Sequence, residues 1–233
     1  MPMLYFHSSL LASLSNLTIP RISMARETKK YKNLEYIVGK ALGATLMFGI
    51  FFSSIFMFFG NSWSTAFYKN SDAGVYLKVL SPIVPLVYLD VVVDSLLKGM
   101  DEQFNSMKFN LADSTLRVVL VFCLLRFFGM DSYIGILFVS TIFNVSLSLG
   151  RLIKVTRVKI NISERIVLPA LSFYPASFAV RLFIERYESI FPHSIIYVLA
   201  QIVLSALAGG CLYYVLTYIK SLFIKSREPQ ERT

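Results

Sequence analysis

Two short stretches place ionisable or amide side chains at helical spacing inside otherwise apolar runs. Asp90, Asp94 and Lys98 follow one another at intervals of four residues in the first, and the second carries Asn110, Asp113 and Arg117. Residues three or four apart share one face of an α-helix, so each stretch predicts a polar stripe. An ionisable group in a membrane helix costs about 2.5–3.5 kcal/mol on insertion scales and therefore faces a partner or a water-filled path. The pattern predicts a substrate or ion pathway.

The two stripes are expected to meet. A short turn over residues 99–106 joins them, and at about 1.5 Å per residue both Asp90 and Arg117 lie roughly 12–15 Å from that turn. We expect the two faces to oppose each other or to share a polar cavity. An ion pair between helices with no role in transport is an equally good interpretation of the same residues.

A pair of prolines, Pro82 and Pro85, precedes the first stripe. Each lacks a backbone N–H and disturbs the helical turn before it, so we expect a kink here. Interrupted helices often line the substrate path of transporters. Proline is also more frequent in membrane helices than in soluble ones, but a proline pair followed by a charged stripe is more telling than either feature alone.

The elements that carry these residues are predicted to be membrane helices. Of the 233 residues 55% are hydrophobic and 16% charged, and the mean hydropathy is +0.61. A soluble domain carries about 25% charged residues, so the composition excludes an ordinary soluble enzyme, a disordered chain and a disulfide-rich secreted module. A bilayer crossing takes about 20 residues. We predict an all-α protein with about seven spans, over residues 2–19, 37–59, 75–97, 107–128, 133–153, 166–184 and 194–223.

The positive residues indicate an orientation. Most of the 23 Lys and Arg residues fall after the first, third, fifth and seventh predicted spans. Because cytoplasmic loops are enriched in Lys and Arg, we expect the N-terminus outside and the C-terminus in the cytoplasm of a multi-pass cell-membrane protein. The net charge of +9 is distributed in these short loops, which predicts contact with membrane lipids and no nucleic-acid partner.

Catalytic and cofactor motifs are not found in the sequence. His7 and His193 are the only histidines and lie in different regions. A His-based metal site or a Ser-His-Asp triad is therefore not expected, and neither a phosphate-binding loop nor a cofactor motif is present. We predict that the chain is not an enzyme and that it carries no cofactor or metal.

Two motifs are similar to segments of a known transporter family. The run 17–25, Leu-Thr-Ile-Pro-Arg-Ile-Ser-Met-Ala, resembles the P-x-I-S-x-A segment that closes a membrane helix in polysaccharide flippases of the multidrug/oligosaccharidyl-lipid/polysaccharide exporter superfamily. The run 97–103, Leu-Lys-Gly-Met-Asp-Glu-Gln, resembles the family's L-x-G-x-G-x-Q turn, with Met100 and Asp101 near the place of its second glycine. Residues 113–156 most resemble the stage V sporulation protein B-like branch of Gram-positive bacteria.

The resemblance implies an architecture. Family members have two six-helix lobes, often with two extra C-terminal helices, in chains about twice as long. On that pattern residues 1–160 are a partial C-terminal lobe of about five spans, residues 161–225 are the two extra helices, and residues 226–233 are a cytoplasmic tail. The chain is then expected to be a truncated or split product, with a separate chain supplying the first lobe.

The resemblance also implies a function. Family members move lipid-linked sugars, such as undecaprenyl-linked cell-wall precursors, across the cytoplasmic membrane. On that basis Arg117 is a candidate for the substrate's pyrophosphate, and Asp90 is its counter-charge or an ion-coupling carboxylate. These two roles are hypotheses from depth and spacing.

Other classes remain open from the sequence. A seven-helix receptor matches the span count, but Lys220 lies too near the cytoplasmic end to hold retinal. A membrane-embedded transferase would need a polar catalytic loop, and the loops here are short. The main alternative is a non-transporting interaction subunit or an inactive fragment.

Overall fold

The computed structural model of the chain is helical over nearly all the residues it describes. These are residues 11–227 apart from 14, 29–30, 70–71, 159–160, 162 and 187–194, and they contain no strand. The helices in chain order are α1 (Ile19–Glu27), α2 (Tyr31–Tyr68), α3 (Asp72–Leu80), α4 (Val84–Gly99), α5 (103–128), α6 (130–156), α7 (Leu168–Arg186) and α8 (Ile195–Arg227). The predicted all-α class is confirmed for this part of the chain.

Five helical segments among the described residues are long and apolar enough to cross a membrane. They are Tyr31–Tyr68, Asp72–Gly99, Ser132–Thr156, Glu164–Ile184 and Tyr197–Ser221. Each contains most or all of one of the predicted spans that start at residues 37, 75, 133, 166 and 194. The protein is therefore a multi-pass membrane protein by the length and composition of its helices.

Two of the seven predicted spans differ from this set. The span predicted over residues 107–128 is the helix α5, but Asp113, Arg117 and Arg126 make its apolar stretch too charged to qualify as a span by composition alone. The span predicted over residues 2–19 lies largely outside the described residues, and its described end turns at residues 17–18 before α1 begins. The count of seven stays a prediction.

The proline pair interrupts a membrane helix, as the sequence predicts. Residues Ser81–Ile83 form a single 3₁₀ turn between α3 and α4. Pro85 lies in the first turn of α4, where a missing N–H costs no helical hydrogen bond. The Ser53 hydroxyl donates to the carbonyl of Ser81 at 2.6 Å and lies 2.7 Å from the hydroxyl of Tyr174. Side chains of neighbouring helices thus satisfy the backbone that the prolines disturb, as a membrane interior requires.

A glycine separates α5 from α6. The chain is helical over Gln103–Thr156 except at Gly129, whose backbone has φ 62° and ψ −141°. A side chain at this position would make that backbone conformation costly, so glycine suits the break. Ser132 donates its hydroxyl to the Gly129 carbonyl at 2.7 Å. The chain therefore reverses here, and α6 returns alongside α5.

The two motifs that resemble the flippase family contact each other. Ile22, in α1, is fully buried, and its Cβ lies 3.3 Å from where a Cβ on Gly99 would stand. The Ser23 hydroxyl donates to the Gly99 carbonyl at 3.0 Å, and Arg26 donates to the Met100 carbonyl. Glycine at 99 thus permits α1 to pack on the end of α4, which gives both motifs a structural role.

The described chain forms two compact units. The first contains the described residues within 1–49 and 83–160, and the second contains those within 50–82 and 161–233. The long helix α2 contributes its first part to one unit and its last part to the other. The partition predicted from the resemblance, with boundaries after residues 160 and 225, stays a prediction, and residues 228–233 of the predicted tail lie outside the described residues.

Candidate functional site

The first unit brings the two predicted polar stripes together between α4 and α5. The Asp94 carboxylate accepts a hydrogen bond from the Asn110 side-chain amide at 2.8 Å and another from the Ser106 hydroxyl at 2.7 Å. The turn between α4 and α5 is short, only residues 100–102. Because a short turn joins two helices that each carry a polar stripe, the stripes oppose each other, as expected.

A third helix joins the cluster through Asn144 of α6. Its side-chain amide donates to both oxygens of Asp90, at 3.0 and 3.1 Å, and to the side-chain carbonyl of Asn110 at 3.0 Å. Asn144 is 4% exposed, and its own carbonyl oxygen is buried without a hydrogen-bond partner among the described residues. One buried side-chain amide thus links the stripes of α4 and α5, and its carbonyl oxygen remains available as a hydrogen-bond acceptor.

Asp113 and Arg117 form the second half of the cluster. The Arg117 Nη2 donates to Asp113 Oδ2 at 2.9 Å, one helical turn away on α5. Ser140 of α6 donates its hydroxyl to the other Asp113 oxygen and accepts from Arg117 Nε at 3.0 Å. The carboxylate, the guanidinium and the hydroxyl therefore close a three-membered ring of hydrogen bonds across two helices.

We refer to these eight side chains as the polar cluster. They are Asp90, Asp94, Ser106, Asn110, Asp113, Arg117, Ser140 and Asn144, and they come from three successive helices. All five residues predicted from the sequence belong to it. Their predicted role as a substrate or ion pathway stays a prediction.

The charges of the polar cluster do not balance. Its three carboxylates, when ionised, face one guanidinium, which leaves a formal charge of −2. Arg117 pairs with Asp113, and the hydrogen bonds to Asp90 and Asp94 within the described chain come from neutral amide and hydroxyl donors. Asp90 and Asp94 are half-buried, and a partly desolvated carboxylate without a counter-charge is stabilised by a cationic partner, because an uncompensated charge is costly in a low dielectric. The arrangement is therefore suited to reversible binding of a small cationic species.

The geometry shows which carboxylate Arg117 pairs with. Two roles were open for Asp90, the counter-charge of Arg117 or an ion-coupling carboxylate, and the direct ion pair of Arg117 is with Asp113. Helical neighbours four residues apart are already within reach of each other, so they pair more readily than residues on separate helices. No group of three or more His, Cys, Asp or Glu side chains in the described part of the chain is placed to hold a metal ion.

The prolines lie outside the polar cluster. Pro82 is in the 3₁₀ turn, and Pro85 is five residues before Asp90 on α4. A Cβ on Gly49 of α2 would stand 2.7 Å from the Pro85 Cα, so glycine allows α2 to approach α4 closely at the proline. The prolines therefore set the start and the packing of α4, the helix that carries Asp90 and Asp94.

The pathway predicted from the sequence did not include Ser106, Ser140 or Asn144. Ser140 and Asn144 lie four residues apart on α6, and Ser106 lies four residues before Asn110 on α5. The same helical spacing that reveals the charged stripes also connects these residues. Serine is common in membrane helices, however, and a stripe of serine and asparagine predicts interhelical hydrogen bonds without revealing a charged partner.

A second polar contact lies at the turn between α4 and α5. Arg151 of α6 holds Glu102 with its Nε and Nη2 atoms, through contacts of 2.9–3.1 Å, and Asn105 also donates to Glu102. Desolvation alone would raise the pKa of Glu102. The hydrogen bonds from Asn105 and Arg151 and the nearby positive charges outweigh it and hold the pKa of this carboxyl below its usual range. The contact stabilises the turn on which both polar stripes depend.

Comparison with known proteins finds a distant relative. The chain is 27% identical over 124 residues to Stage V sporulation protein B of Bacillus subtilis (strain 168). The aligned stretch is 53% of this chain and 24% of the relative, so the match spans about a quarter of the relative's length. No protein-family model matches the chain, and no solved structure matches it. The similarity supports the predicted resemblance at the level of the family.

Proposed function

We propose that this chain is part of a flippase-type membrane transporter that moves lipid-linked oligosaccharides or peptidoglycan precursors across the cytoplasmic membrane, N-terminus outside. The observation that carries the proposal is the polar cluster, which joins three carboxylates and one guanidinium across three helices. A purely structural interface in a membrane would be cheaper without such groups. The similarity to Stage V sporulation protein B favours this class of transporter over a receptor.

In this proposal the carboxylates couple transport to an ion gradient. Asp90 and Asp94 bind a proton or a monovalent cation in one conformation and release it in another. Asn144 and Asn110 connect the two carboxylates by hydrogen bonds, so binding of the ion at Asp90 changes the hydrogen bonding of Asp94 and of all three helices. A site held by separate helices responds to their relative movement, which is what alternating access requires.

Arg117 has a different role from the one its spacing alone predicts. Its guanidinium is bound to Asp113 and Ser140. Asp113 and Ser140 engage two of the five N–H donors of this guanidinium, on Nη2 and Nε, so part of its hydrogen-bonding capacity is already used within the protein. We assign Arg117 to holding Asp113 and the α5–α6 contact in place. Substrate recognition belongs to the complete transporter, in which a further lobe, in this polypeptide or in a separate chain, faces the described helices.

The test adds the part of the relative that lies outside the aligned stretch. The full chain is reconstituted in proteoliposomes alone and together with the portion of the Bacillus subtilis relative outside the aligned stretch. A fluorescent undecaprenyl-pyrophosphate-linked sugar reports translocation through its accessibility to an impermeant quencher. We expect at least tenfold faster translocation with both chains than in empty liposomes, and loss of that gain with Asp90→Asn.

The matched control is Asp101→Asn, which removes a carboxylate that is 84% exposed in the turn after α4. This variant should translocate like the wild type. If the two chains assemble stably but translocate no faster than empty liposomes, the flippase assignment is wrong, and the interaction-subunit alternative takes its place. If Asp90→Asn is as fast as the wild type, the coupling role is wrong.

A further inference from the structure

A groove in the first unit lies between α1 and the start of α2, apart from the polar cluster. Its volume is about 430 Å³, within the range of about 300–1,000 Å³ that is usual for small-molecule sites. Its lining includes Arg21, Met24, Thr28, Asn33, Tyr36 and Ile37. The lining residues recur at intervals of three or four, so one face of each helix borders the groove. The groove can therefore hold a small molecule or one part of a larger molecule.

The groove lies at the level where a membrane span begins. Lys40 is the last charged residue before an uncharged run over residues 41–68 of α2. The other wall, α1, packs through Ile22 against Gly99, at the end of the span Asp72–Gly99. Lysine, arginine and tyrosine beside the end of a span lie among the lipid headgroups. The groove is therefore placed to meet a headgroup and the start of its acyl chains.

The charge beside the groove is positive. Arg21 is exposed and has no hydrogen bond or ion pair to another described residue. Lys40 lies one helical turn beyond Tyr36, and its Nζ is 6.0 Å from the centre of the Tyr36 ring. This contact keeps the ammonium beside the groove without neutralising it, because an aromatic ring brings no counter-charge. The acidic Glu27 and Glu35 of the same helices are not among the lining residues. The groove therefore favours an anionic ligand.

An unused amide gives a second observation that points to a ligand. The Asn33 side chain is exposed, lines the groove and has no hydrogen-bond partner among the described residues. A side-chain amide offers two N–H donors, and the guanidinium of Arg21 offers five in a planar fork. Phosphate oxygens accept from such donors, and arginine binds two of them at once. The polar part of the lining therefore has the donors that a phosphate group needs.

Apolar side chains form the rest of the lining. Met24 and Tyr36 are each 65% exposed, and Leu17, one helical turn before Arg21, is 72% exposed. Ile37 lines the groove beside them. Soluble phosphate would leave these side chains without a contact. A molecule with a phosphate at one end and an apolar chain at the other would contact both parts of the lining, so a lipid fits the groove better than a free anion.

We propose that this groove binds an anionic phospholipid. Arg21 and Asn33 donate to the phosphate oxygens, and the Lys40 ammonium adds to the attraction. Met24 and Ile37 contact the start of an acyl chain. Basic pockets beside membrane helices hold anionic headgroups in this way. A lipid with a cationic amine on its headgroup binds less well, because no described carboxylate lines the groove to meet that amine. The site does not rest on the transport proposal, because binding is measurable in a chain that transports nothing.

The first experiment compares two lipids on the wild-type chain. The full chain is placed in nanodiscs of phosphatidylglycerol and phosphatidylcholine in equal amounts, and the lipids that stay bound after release are identified by native mass spectrometry. We expect at least fivefold more phosphatidylglycerol than phosphatidylcholine. Equal retention of the two lipids would overturn the proposal.

Variants test whether the groove holds the lipid. Arg21→Gln should lower phosphatidylglycerol retention at least fivefold, and Asn33→Ala, which removes no charge, should lower it at least twofold. The matched control is Arg157→Gln, which changes an exposed arginine directly after α6 and should retain the lipid like the wild type. If Arg157→Gln loses as much retention as Arg21→Gln, general surface charge holds the lipid and the groove is not its site.

Photo-crosslinking locates the lipid without any substitution. A phosphatidylglycerol with a diazirine near the top of one acyl chain is irradiated with the wild-type chain in phosphatidylcholine nanodiscs, and the adducts are mapped by mass spectrometry. We expect adducts within residues 17–28 or 33–40, and we expect excess unlabelled phosphatidylglycerol to suppress them. Adducts confined to other helices would overturn the assignment to the groove.

Discussion

Removing the charge of Arg117 should destabilise the first unit, and removing Asp113 as well should recover part of the loss. The pair is separated by 2.9 Å on α5, and the Asp113 side chain is 9% exposed while that of Arg117 is 37% exposed. Arg117→Gln leaves a buried carboxylate with Ser140 as its remaining partner. Asp113→Asn leaves a guanidinium that can turn towards water, because long basic side chains reach out of apolar surroundings.

The magnitudes follow from burial. Breaking a buried pair from one side costs about 3–5 kcal/mol, so we expect about 3 kcal/mol for Arg117→Gln and, since the remaining cation is partly solvated, about 1.5 kcal/mol for Asp113→Asn. Two unit charges 4 Å apart interact by about 4 kcal/mol at an effective dielectric of 20. Partial solvation of Arg117 lowers this interaction energy, and we expect a coupling energy of about 2 kcal/mol. The double variant should then be about 2.5 kcal/mol less stable than the wild type, which is the sum of the two single losses minus the coupling energy.

The assay is a double-mutant cycle on reversible unfolding of the full chain in mixed micelles, followed by circular dichroism. Arg126→Gln combined with Asp113→Asn is the control, because Arg126 is an exposed arginine on the same helix, and its effect should simply add. A coupling energy below about 0.5 kcal/mol for the Arg117 cycle would refute the reasoning, since the two charges would then not stabilise each other.

Two further outcomes follow from the packing and the turn. The pKa of Glu102 in the folded protein lies below its ordinary 4.5, so this carboxylate contributes fully to stability at neutral pH and loses that contribution as the pH falls through the lowered pKa. Arg151→Gln should therefore weaken the dependence of the unfolding free energy on pH in the acid range. An unchanged dependence in that range would contradict the contact. Gly209→Ala should destabilise the second unit by about 1–3 kcal/mol, because the new Cβ would overlap the Phe173 ring. Gly210→Ala meets nothing within 4 Å and should leave the thermal midpoint within error, so equal effects of the two substitutions would contradict the packing.

The helical class and the meeting of the stripes could be predicted from sequence for physical reasons. The apolar composition leaves a membrane as the only consistent solvent, and a membrane interior allows helices because each satisfies its own backbone. A three-residue turn forces α4 and α5 to run side by side, so the faces of Asp94 and Asn110 must meet. The kink at Pro82 follows from the missing N–H of proline.

The partners inside the polar cluster could not be predicted. Helical spacing favours Asp113, one turn away, as the partner of Arg117, but it does not reveal that Ser140 of another helix binds both members of the pair. Its helix returns to this position because of the reversal at Gly129, and a lone glycine in an apolar run does not specify that reversal.

The groove of the first unit was also beyond sequence reasoning. Arg21 and Asn33 come from two helices, and each has a plain explanation by itself. Arg21, for example, is fully explained as one of the positive residues that follow a predicted span. Only the packing of α1 beside the start of α2 shows that the two side chains line one space.

In the proposed transporter the carboxylates of the polar cluster exchange an ion during transport. The most direct measurement is translocation of the lipid-linked sugar by the reconstituted two-chain preparation, with and without an imposed proton or sodium gradient. We predict that one gradient changes the wild-type rate at least fivefold and that Asp90→Asn loses this dependence, while Asp101→Asn keeps it. Wild-type translocation that ignores both gradients, or an Asp90→Asn variant that responds as the wild type does, would contradict the claim.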